Sequence, residues 1–243
     1  MLALPFVVGA ARGAADGAFR PVLIPLLGVW FVGYFAFFVA GLWLKSRRRP
    51  RYLPAVTTYL CATAALGVLV LVLDWRLVVW APVFAPFLAI GLWAAATRTD
   101  RSLLSGGAMV AAASVMTLAA YTAGRTEGSV WAALTHASAP IVAIAVLVFA
   151  YFFGTVLYVK AMIRERGVRA YARASIGYHV AITVLAVPMA LAHDPVWWWA
   201  VAFLAVMAVR AWAVSGRTLT PKALGLGEVA SSLALGVVAL VLH

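Results

Sequence analysis

Charged residues are scarce in this chain, where they make up 11% of 243 residues while hydrophobic residues make up 66%. Because soluble globular domains carry about 25% charged residues, this composition excludes an ordinary soluble protein and indicates folding within a lipid bilayer. Acidic residues are the scarcest class, with 7 Asp and Glu against 19 Lys and Arg, and the formal net charge is +12. The excess of cations makes nucleic-acid binding an alternative, but the cations stand in short runs between apolar segments. That arrangement is typical of membrane-protein loops and does not favour a nucleic-acid partner.

Motifs for metal, redox and nucleotide chemistry are also missing. Cys61 is the single cysteine, which excludes an internal disulfide and a cysteine pair for a metal or redox site. The chain has no Gly-rich phosphate loop, no His-Glu-x-x-His and no Gly-x-Ser-x-Gly. A magnesium–diphosphate site needs several neighbouring carboxylates, whereas Asp100, Glu165 and Glu228 are scattered along the sequence. We therefore expect no metal and no cofactor, and the sequence assigns no catalytic residue.

Long apolar runs dominate what is present. A membrane-spanning helix needs about 20 apolar residues. Eight segments meet this requirement, at residues 22–44, 54–73, 77–96, 103–123, 137–159, 175–192, 196–214 and 224–242. A further apolar piece at residues 1–11 is too short to span and predicts a short or truncated first helix. We predict an all-α, polytopic transmembrane bundle of about nine helices that forms a single domain over residues 1–243.

The distribution of cations predicts the orientation of this bundle. The run LKSRRRPRYLP at residues 44–54 holds five cations, and every second connection after it is basic as well. These connections contain 15 of the 19 Lys and Arg residues. Because cytoplasmic loops of membrane proteins are enriched in Lys and Arg, we predict that these connections are cytoplasmic. The amino end then lies inside and the carboxyl end outside.

Several ionisable residues fall near the predicted cytoplasmic ends of different helices. Ionisable groups are costly inside a membrane and often mark functional sites. We predict that they line a cytoplasm-facing basic cavity that binds an anion such as a phosphate or carboxylate. The predicted ligand-binding residues are Lys45, Arg49, Lys160, Arg164, Glu165, Arg166, His179, Arg210 and Glu228.

Simpler explanations exist for each of these residues. Lys and Arg at helix ends commonly reach toward lipid headgroups. Glu228 can pair with Arg210 or lie in the first turn of its helix, where a negative charge is favourable. His179 beside Tyr178 can be a hydrogen-bonded packing residue. His136 is a further ionisable residue, but it falls toward the predicted outer side and carries little weight.

Four segments resemble the YwiC-like family of bacterial integral membrane proteins. They are GYFAFFVAGLWLKSRRRPRYLP at 33–54, YFFGTVLYVKAMIRERG at 151–167, ASIGYH at 174–179 and TPKALGLGEV at 220–229. The resemblance extends over nearly the whole chain. It implies a multi-pass protein of the bacterial plasma membrane and implies no particular reaction.

A weaker similarity in topology links the chain to the UbiA-type intramembrane prenyltransferases. Those enzymes have nine helices, an inside amino end and functional cytoplasmic loops after helices two and six. The basic runs at residues 45–51 and 160–173 occupy these two places. The enzymes carry Asp-rich motifs there to hold Mg²⁺ and a diphosphate, whereas these runs are Arg-rich and nearly free of acids. The similarity therefore implies a scaffold without metal-dependent prenyl transfer, and whether the chain is an enzyme stays open.

Three functions fit these observations. We favour a protein that binds an anionic lipid or isoprenoid phosphate in the basic cavity, on a UbiA-like scaffold. A transporter of a small anion is the first alternative, and an accessory or assembly subunit of a membrane complex is the second. The expected partners are membrane lipids, with a homo-oligomer or a membrane complex as further alternatives, and no nucleic acid.

Overall fold

The computed structural model describes residues 1–17, 19–125, 138–192 and 194–242. Within these ranges the regular structure is entirely helical, with short 3₁₀ turns before three of the helices. The helices in the described ranges are α1 (Ala3–Ala15), α2 (Leu23–Lys45), α3 (Leu53–Leu73), α4 (Trp80–Ala96), α5 (Leu103–Ala123), α6 (Ala139–Val159), α7 (Arg169–Ala192), α8 (Trp198–Val214) and α9 (Pro221–Val241).

The predicted all-α membrane architecture is confirmed. Eight of the described helical segments are long and apolar enough to cross a membrane, and α1, with 13 residues, is shorter. Seven of the eight spans begin and end within three residues of their predicted bounds. The exception is α7, which begins at Arg169 instead of residue 175. The inside position of the amino end and the UbiA-like arrangement stay predictions.

The surface of the helices is apolar, as a lipid-facing surface should be. Val72, Leu185 and Trp212 expose 76%, 71% and 68% of their surface. In water such exposure of large apolar side chains would cost free energy, because apolar area is stabilised by removal from water. In a bilayer these side chains meet acyl chains, and the chain is a multi-pass membrane protein.

The described residues group into two compact units, one of residues 2–142 and one of residues 143–243. In the amino-terminal unit α1 packs against α5, α2 packs against α3 and α4, and α4 packs against α5. Buried residues make up 56% of the α5 span but only 11% of the span that contains α3. Helix α5 is therefore the central helix of this unit. The prediction of a single domain over the whole chain stays a prediction.

Close contact between α1 and α5 depends on two glycines. Gly9 faces the backbone of Thr117, and Gly13 faces the backbone of Tyr121. A Cβ atom added at either glycine would collide with the carbonyl oxygen opposite. Small residues permit such close approach of helices in a membrane, where dispersion contacts stabilise helix association.

Replacing Gly13 by alanine should therefore lower the free energy of unfolding by about 1–2 kcal/mol, because the added methyl group forces two backbones apart. Gly67→Ala in α3 is the matched control, since a Cβ there meets nothing within 4 Å. Thermal unfolding of both variants in mild detergent, followed by circular dichroism, measures the difference. Equal stability of the two variants would contradict the close contact.

A buried carboxylate joins three connections in the same unit, and we call this group the Asp74 cluster. Asp74 is 5% exposed and accepts hydrogen bonds from Arg20 Nη1 at 2.5 Å and from Arg76 Nε and Nη2, each at 2.7 Å. Arg20 also donates to the carbonyl oxygens of Ala123 and Arg125. The cluster thereby ties the connection before α2 and the end of α3 to the end of α5.

In the carboxy-terminal unit α7 packs against α8, and α8 contacts α9. Tyr178 on α7 donates a hydrogen bond to the carbonyl oxygen of Ala150 on α6 at 3.0 Å. Helix α6 continues as a π-helix over Lys160–Arg164, where each backbone hydrogen bond spans one more residue than in an α-helix, just before the basic connection. Such π-helical turns are frequent at functional sites.

Candidate functional site

A pocket of about 320 Å³ lies in the carboxy-terminal unit, where α6 and α8 end and α7 begins. Its walls come from two connections, the one after the π-helical turn and the one between α8 and α9. We call it the arginine pocket. Its lining residues are Tyr158, Ala161, Met162, Arg166, Gly167, Val168, Arg169, Ala172, Ser175, Ala211, Ser215, Gly216, Arg217 and Thr218.

The charge of the arginine pocket is entirely positive. Arg166, Arg169 and Arg217 line it, and none of its lining residues is acidic. Arg166 Nη2 donates to the carbonyl oxygen of Leu219 at 3.1 Å, which ties the connection after α6 to the segment before α9. Guanidinium groups bind phosphate and carboxylate oxygens through paired charge-assisted hydrogen bonds. The lining therefore suits an anion.

Two glycines turn the backbone around the pocket. Gly167 and Gly216 both have φ of 83°, in the left-handed region that side chains with a Cβ rarely adopt. Each glycine stands directly beside residues whose side chains line the pocket, Arg166 on one side and Arg217 on the other. The two turns thus bring together arginines that are 51 positions apart in the sequence.

One polar group in the wall lacks a partner. Ser175 is 3% exposed, and its Oγ has no hydrogen-bonding partner among the described residues. A buried hydroxyl without a partner costs roughly 1–3 kcal/mol, so such groups call for an explanation. A ligand that accepts a hydrogen bond in the pocket would satisfy it.

A half-buried ion pair lies next to the arginine pocket. Arg210 on α8 donates through Nη2 to Glu228 Oε1 on α9 at 2.6 Å and through Nη1 to Ser231 Oγ at 3.0 Å. Glu228 Oε2 accepts from Thr155 at 2.8 Å and from Tyr151 at 3.3 Å, both on α6. The two charged side chains, 20% and 14% exposed, join three helices about one to two turns inside their ends.

Tyr158 connects the pocket with this ion pair, and His179 packs against the pocket residue Ser175. Tyr158 lines the pocket, and the guanidinium carbon of Arg210 lies 4.6 Å from the centre of its ring. His179 Nδ1 lies 2.7 Å from the carbonyl oxygen of Ser175, so that nitrogen carries the proton and donates it. The other edge of the imidazole faces Gly154, where a Cβ would lie only 2.9 Å from Nε2. His179 is thus a packed, hydrogen-bonded side chain behind the pocket wall.

The remaining predicted site residues fall in three groups. Of the basic run after α6, Arg166 is exposed and lines the pocket, whereas Arg164 is exposed and does not. Glu165 is half-buried, and Lys160 Nζ lies 5.1 Å from the ring centre of Tyr171. Arg210 and Glu228 form the ion pair, as one of the simpler explanations predicted. Lys45 and Arg49 belong to the amino-terminal unit and are described there.

Lys45 has a partner of its own in that unit. Its Nζ lies 2.8 Å from Asp100 Oδ2, and its carbonyl oxygen accepts from Arg98. The hydrogen bond and the charge of Lys45 hold the pKa of Asp100 below its usual range. Arg49 is exposed, and its backbone N–H donates to Ser46 Oγ. These contacts join the basic ends of α2 and α4, and a ligand-binding role for Lys45 and Arg49 stays a prediction.

Six polar or charged lining residues are absent from the predicted site: Tyr158, Arg169, Ser175, Ser215, Arg217 and Thr218. The sequence assigns Arg169 and Arg217 only to the orientation of the bundle. Ser175 precedes the conspicuous Tyr178 and His179, and Thr218 has no distinctive neighbour. The sequence did contain an indication of turns at this site. Gly167 directly follows Arg166, and Gly216 directly precedes Arg217.

No group of three or more His, Cys, Asp or Glu side chains within the described ranges is placed to hold a metal ion. The arginine pocket agrees with this, because its lining offers cations and hydroxyl groups and no carboxylate. Its donor set therefore fits direct contact with an anion. His136 lies outside the described residues.

Comparisons with known proteins cover nearly the whole chain. The model of the family described as YwiC-like protein matches residues 1–121. The protein named "Uncharacterized protein YwiC" of Bacillus subtilis (strain 168) is 27% identical over 239 residues, which make up 96% of this chain and 89% of that protein. No solved structure matches the chain. The similarity to UbiA-type enzymes stays a prediction.

Proposed function

This chain is a YwiC-like membrane protein, as its sequence predicts, and we propose that it binds a phosphate-bearing lipid in the arginine pocket. The ligand class is an anionic phospholipid or an isoprenoid phosphate. The bacterial plasma membrane is the proposed location, in keeping with the Bacillus relative. A UbiA-like scaffold is part of the same proposal.

The acid-free lining of the pocket is the observation that carries this proposal. Arg166, Arg169 and Arg217 stand there without a carboxylate among the lining residues, and the Ser175 hydroxyl lacks a partner. Each hydrogen bond from a charged group to a ligand contributes roughly 1.5–3 kcal/mol. Cations that only orient a protein in the membrane need not gather around one pocket. Three arginines and one hydroxyl that line a single pocket are more than orientation requires.

The position of the pocket favours a lipid over a soluble anion. It lies at the ends of membrane-spanning helices, where headgroups meet the hydrocarbon region. Apolar side chains such as Met162 and Val168 share the lining with the arginines. A lipid phosphate would contact the arginines there while its chains stay among the apolar helices. Arginine contacts replace the Mg²⁺ that Asp-rich motifs hold in UbiA-type enzymes.

Native mass spectrometry of the protein released from mild detergent, with identification of the retained lipid, tests the proposal. We expect one phosphate-bearing lipid per chain, and at least a tenfold lower occupancy in Arg166→Ala, since a bidentate charge-assisted contact is lost. Arg173→Ala is the matched control, because Arg173 is exposed on α7 and does not line the pocket.

Loosely held bulk phospholipid, equal in the wild type and in Arg166→Ala, would overturn the proposal. The basic connections would then serve orientation and headgroup contact alone. Flux of a radiolabelled small anion into proteoliposomes would next support the transporter alternative. Co-purification with a second protein at fixed stoichiometry would support the accessory-subunit alternative.

A further inference from the structure

Arg210 has more hydrogen-bonding capacity than its partners use. Its Nη2 donates to Glu228 and its Nη1 to Ser231, but its Nε is buried without a partner among the described residues. A guanidinium carries five N–H donors, and two are accounted for by these bonds. Arg210 therefore keeps hydrogen-bonding capacity that its partners in the structure do not use.

The neighbourhood of Arg210 places it close to the ligand pocket. The guanidinium lies over the ring of Tyr158, and Tyr158 is itself part of the pocket wall. Ala211, the next residue on α8, lines the pocket as well. One aromatic ring thus separates a fourth arginine from the three that line the arginine pocket.

Glu228 cancels the charge of this fourth arginine. Its carboxylate is held by Arg210, Thr155 and Tyr151, so both oxygens are occupied and the side chain is fixed. A phosphate in the pocket therefore meets one neutral pair and three arginines that have no ion-pair partner among the described residues. Removing the negative member of that pair would leave four cations.

We infer that Glu228 masks Arg210 as a fourth cation of the phosphate site, so that neutralising Glu228 strengthens binding of a phosphate group in the arginine pocket. This inference rests on the proposed function. The negative charge of Glu228 thus limits the affinity of the arginine pocket for phosphate. The phosphate group belongs either to a lipid or to a free anion.

The size of the effect follows from Coulomb attraction. A unit charge one aromatic ring beyond the ligand changes phosphate affinity on the order of tenfold at an effective dielectric constant of about 20. If the Arg210–Glu228 pair only joins α8 to α9, neutralising Glu228 would loosen these helices. Phosphate affinity would then stay unchanged or fall.

The experiment measures dissociation constants of farnesyl monophosphate and, separately, of inorganic phosphate for the full chain in detergent. Glu228→Gln keeps a side chain of the same shape and should bind farnesyl monophosphate about tenfold more tightly than the wild type. The double change Arg210→Gln with Glu228→Gln should return the affinity to the wild-type value. Asp194→Asn is the control for net charge, because Asp194 is exposed near the opposite end of α8.

Unchanged or weaker binding by folded Glu228→Gln would overturn the inference while leaving Arg166-dependent binding, and with it the proposed function, intact. Arg210→Gln offers a second route if Glu228→Gln fails to fold. It removes the masked cation, so affinity should not exceed the wild-type value, and tighter binding than in the wild type would overturn the inference equally. Absence of binding by both the wild type and Glu228→Gln overturns both proposals. Tighter binding of inorganic phosphate than of farnesyl monophosphate assigns the site to a free anion.

Discussion

Arg210→Ala should lower the free energy of unfolding by about 3 kcal/mol, because it removes the charged partner that Glu228 contacts inside the helix bundle. The carboxylate would retain only its hydrogen bonds from Thr155 and Tyr151. Unfolding in mild detergent with increasing denaturant, followed by circular dichroism, measures the change. Lys222→Ala is the control, since Lys222 is an exposed cation on α9.

Removing both charges should reverse most of this loss. A buried ion pair costs desolvation of two charges, and replacing the pair by apolar residues of similar volume is often neutral or stabilising. Arg210→Met combined with Glu228→Leu should therefore unfold within about 1 kcal/mol of the wild type. A double variant as unstable as Arg210→Ala would contradict this account and would make the pair a requirement of the fold.

The expected pair of results separates stability from function. If apolar residues can replace the ion pair without loss of stability, the fold does not depend on its charges. By the masking inference, phosphate affinity responds only when one of the two charges is removed and the other stays. Phosphate binding by Arg210→Met/Glu228→Leu should then resemble that of the wild type, since both carry a neutral group behind Tyr158.

Much of the fold could be predicted because a membrane span is defined by length and hydropathy alone. The bounds of α2, α3 and α5 follow directly from apolar runs that end at cations, prolines or serines. The start of α7 could not be found in this way, because residues 169–174 contain two arginines. Alanine and arginine are nevertheless good helix formers, so the helix extends one and a half turns beyond its apolar part.

The candidate site was predictable only in part. The sequence indicated that ionisable residues gather near one end of several helices, and Arg210 with Glu228 was weighed as a pair. Both Arg164 and Arg166 are exposed, and the sequence did not indicate that only Arg166 lines the pocket. Their directions depend on the π-helical turn over Lys160–Arg164 and on the left-handed Gly167, and neither follows from residue spacing.

Asp74→Asn should be the second strongly destabilising change, with a loss of about 3 kcal/mol at neutral pH. The substitution leaves Arg20 and Arg76 facing each other without the carboxylate that both now contact. Breaking a buried pair by removing one partner typically costs 3–5 kcal/mol, and the lower end applies because both arginines keep some exposure. Thermal unfolding in detergent, with Asp194→Asn as the control for an exposed carboxylate, measures the loss.

The pH dependence of this difference gives an independent check on the Asp74 cluster. Burial alone would raise the pKa of Asp74, but hydrogen bonds and charges from Arg76 and Arg20 outweigh burial and hold the pKa below its usual range. A carboxylate whose pKa is lower in the folded state stabilises the fold above its unfolded pKa of about 3.9. That stabilisation is lost as the pH falls through the lower, folded value.

The stability difference between the wild type and Asp74→Asn should therefore be constant above about pH 5 and shrink steadily below pH 4. A difference that is independent of pH down to pH 2 would show that packing, rather than the charge of Asp74, holds the ends of α3 and α5 together.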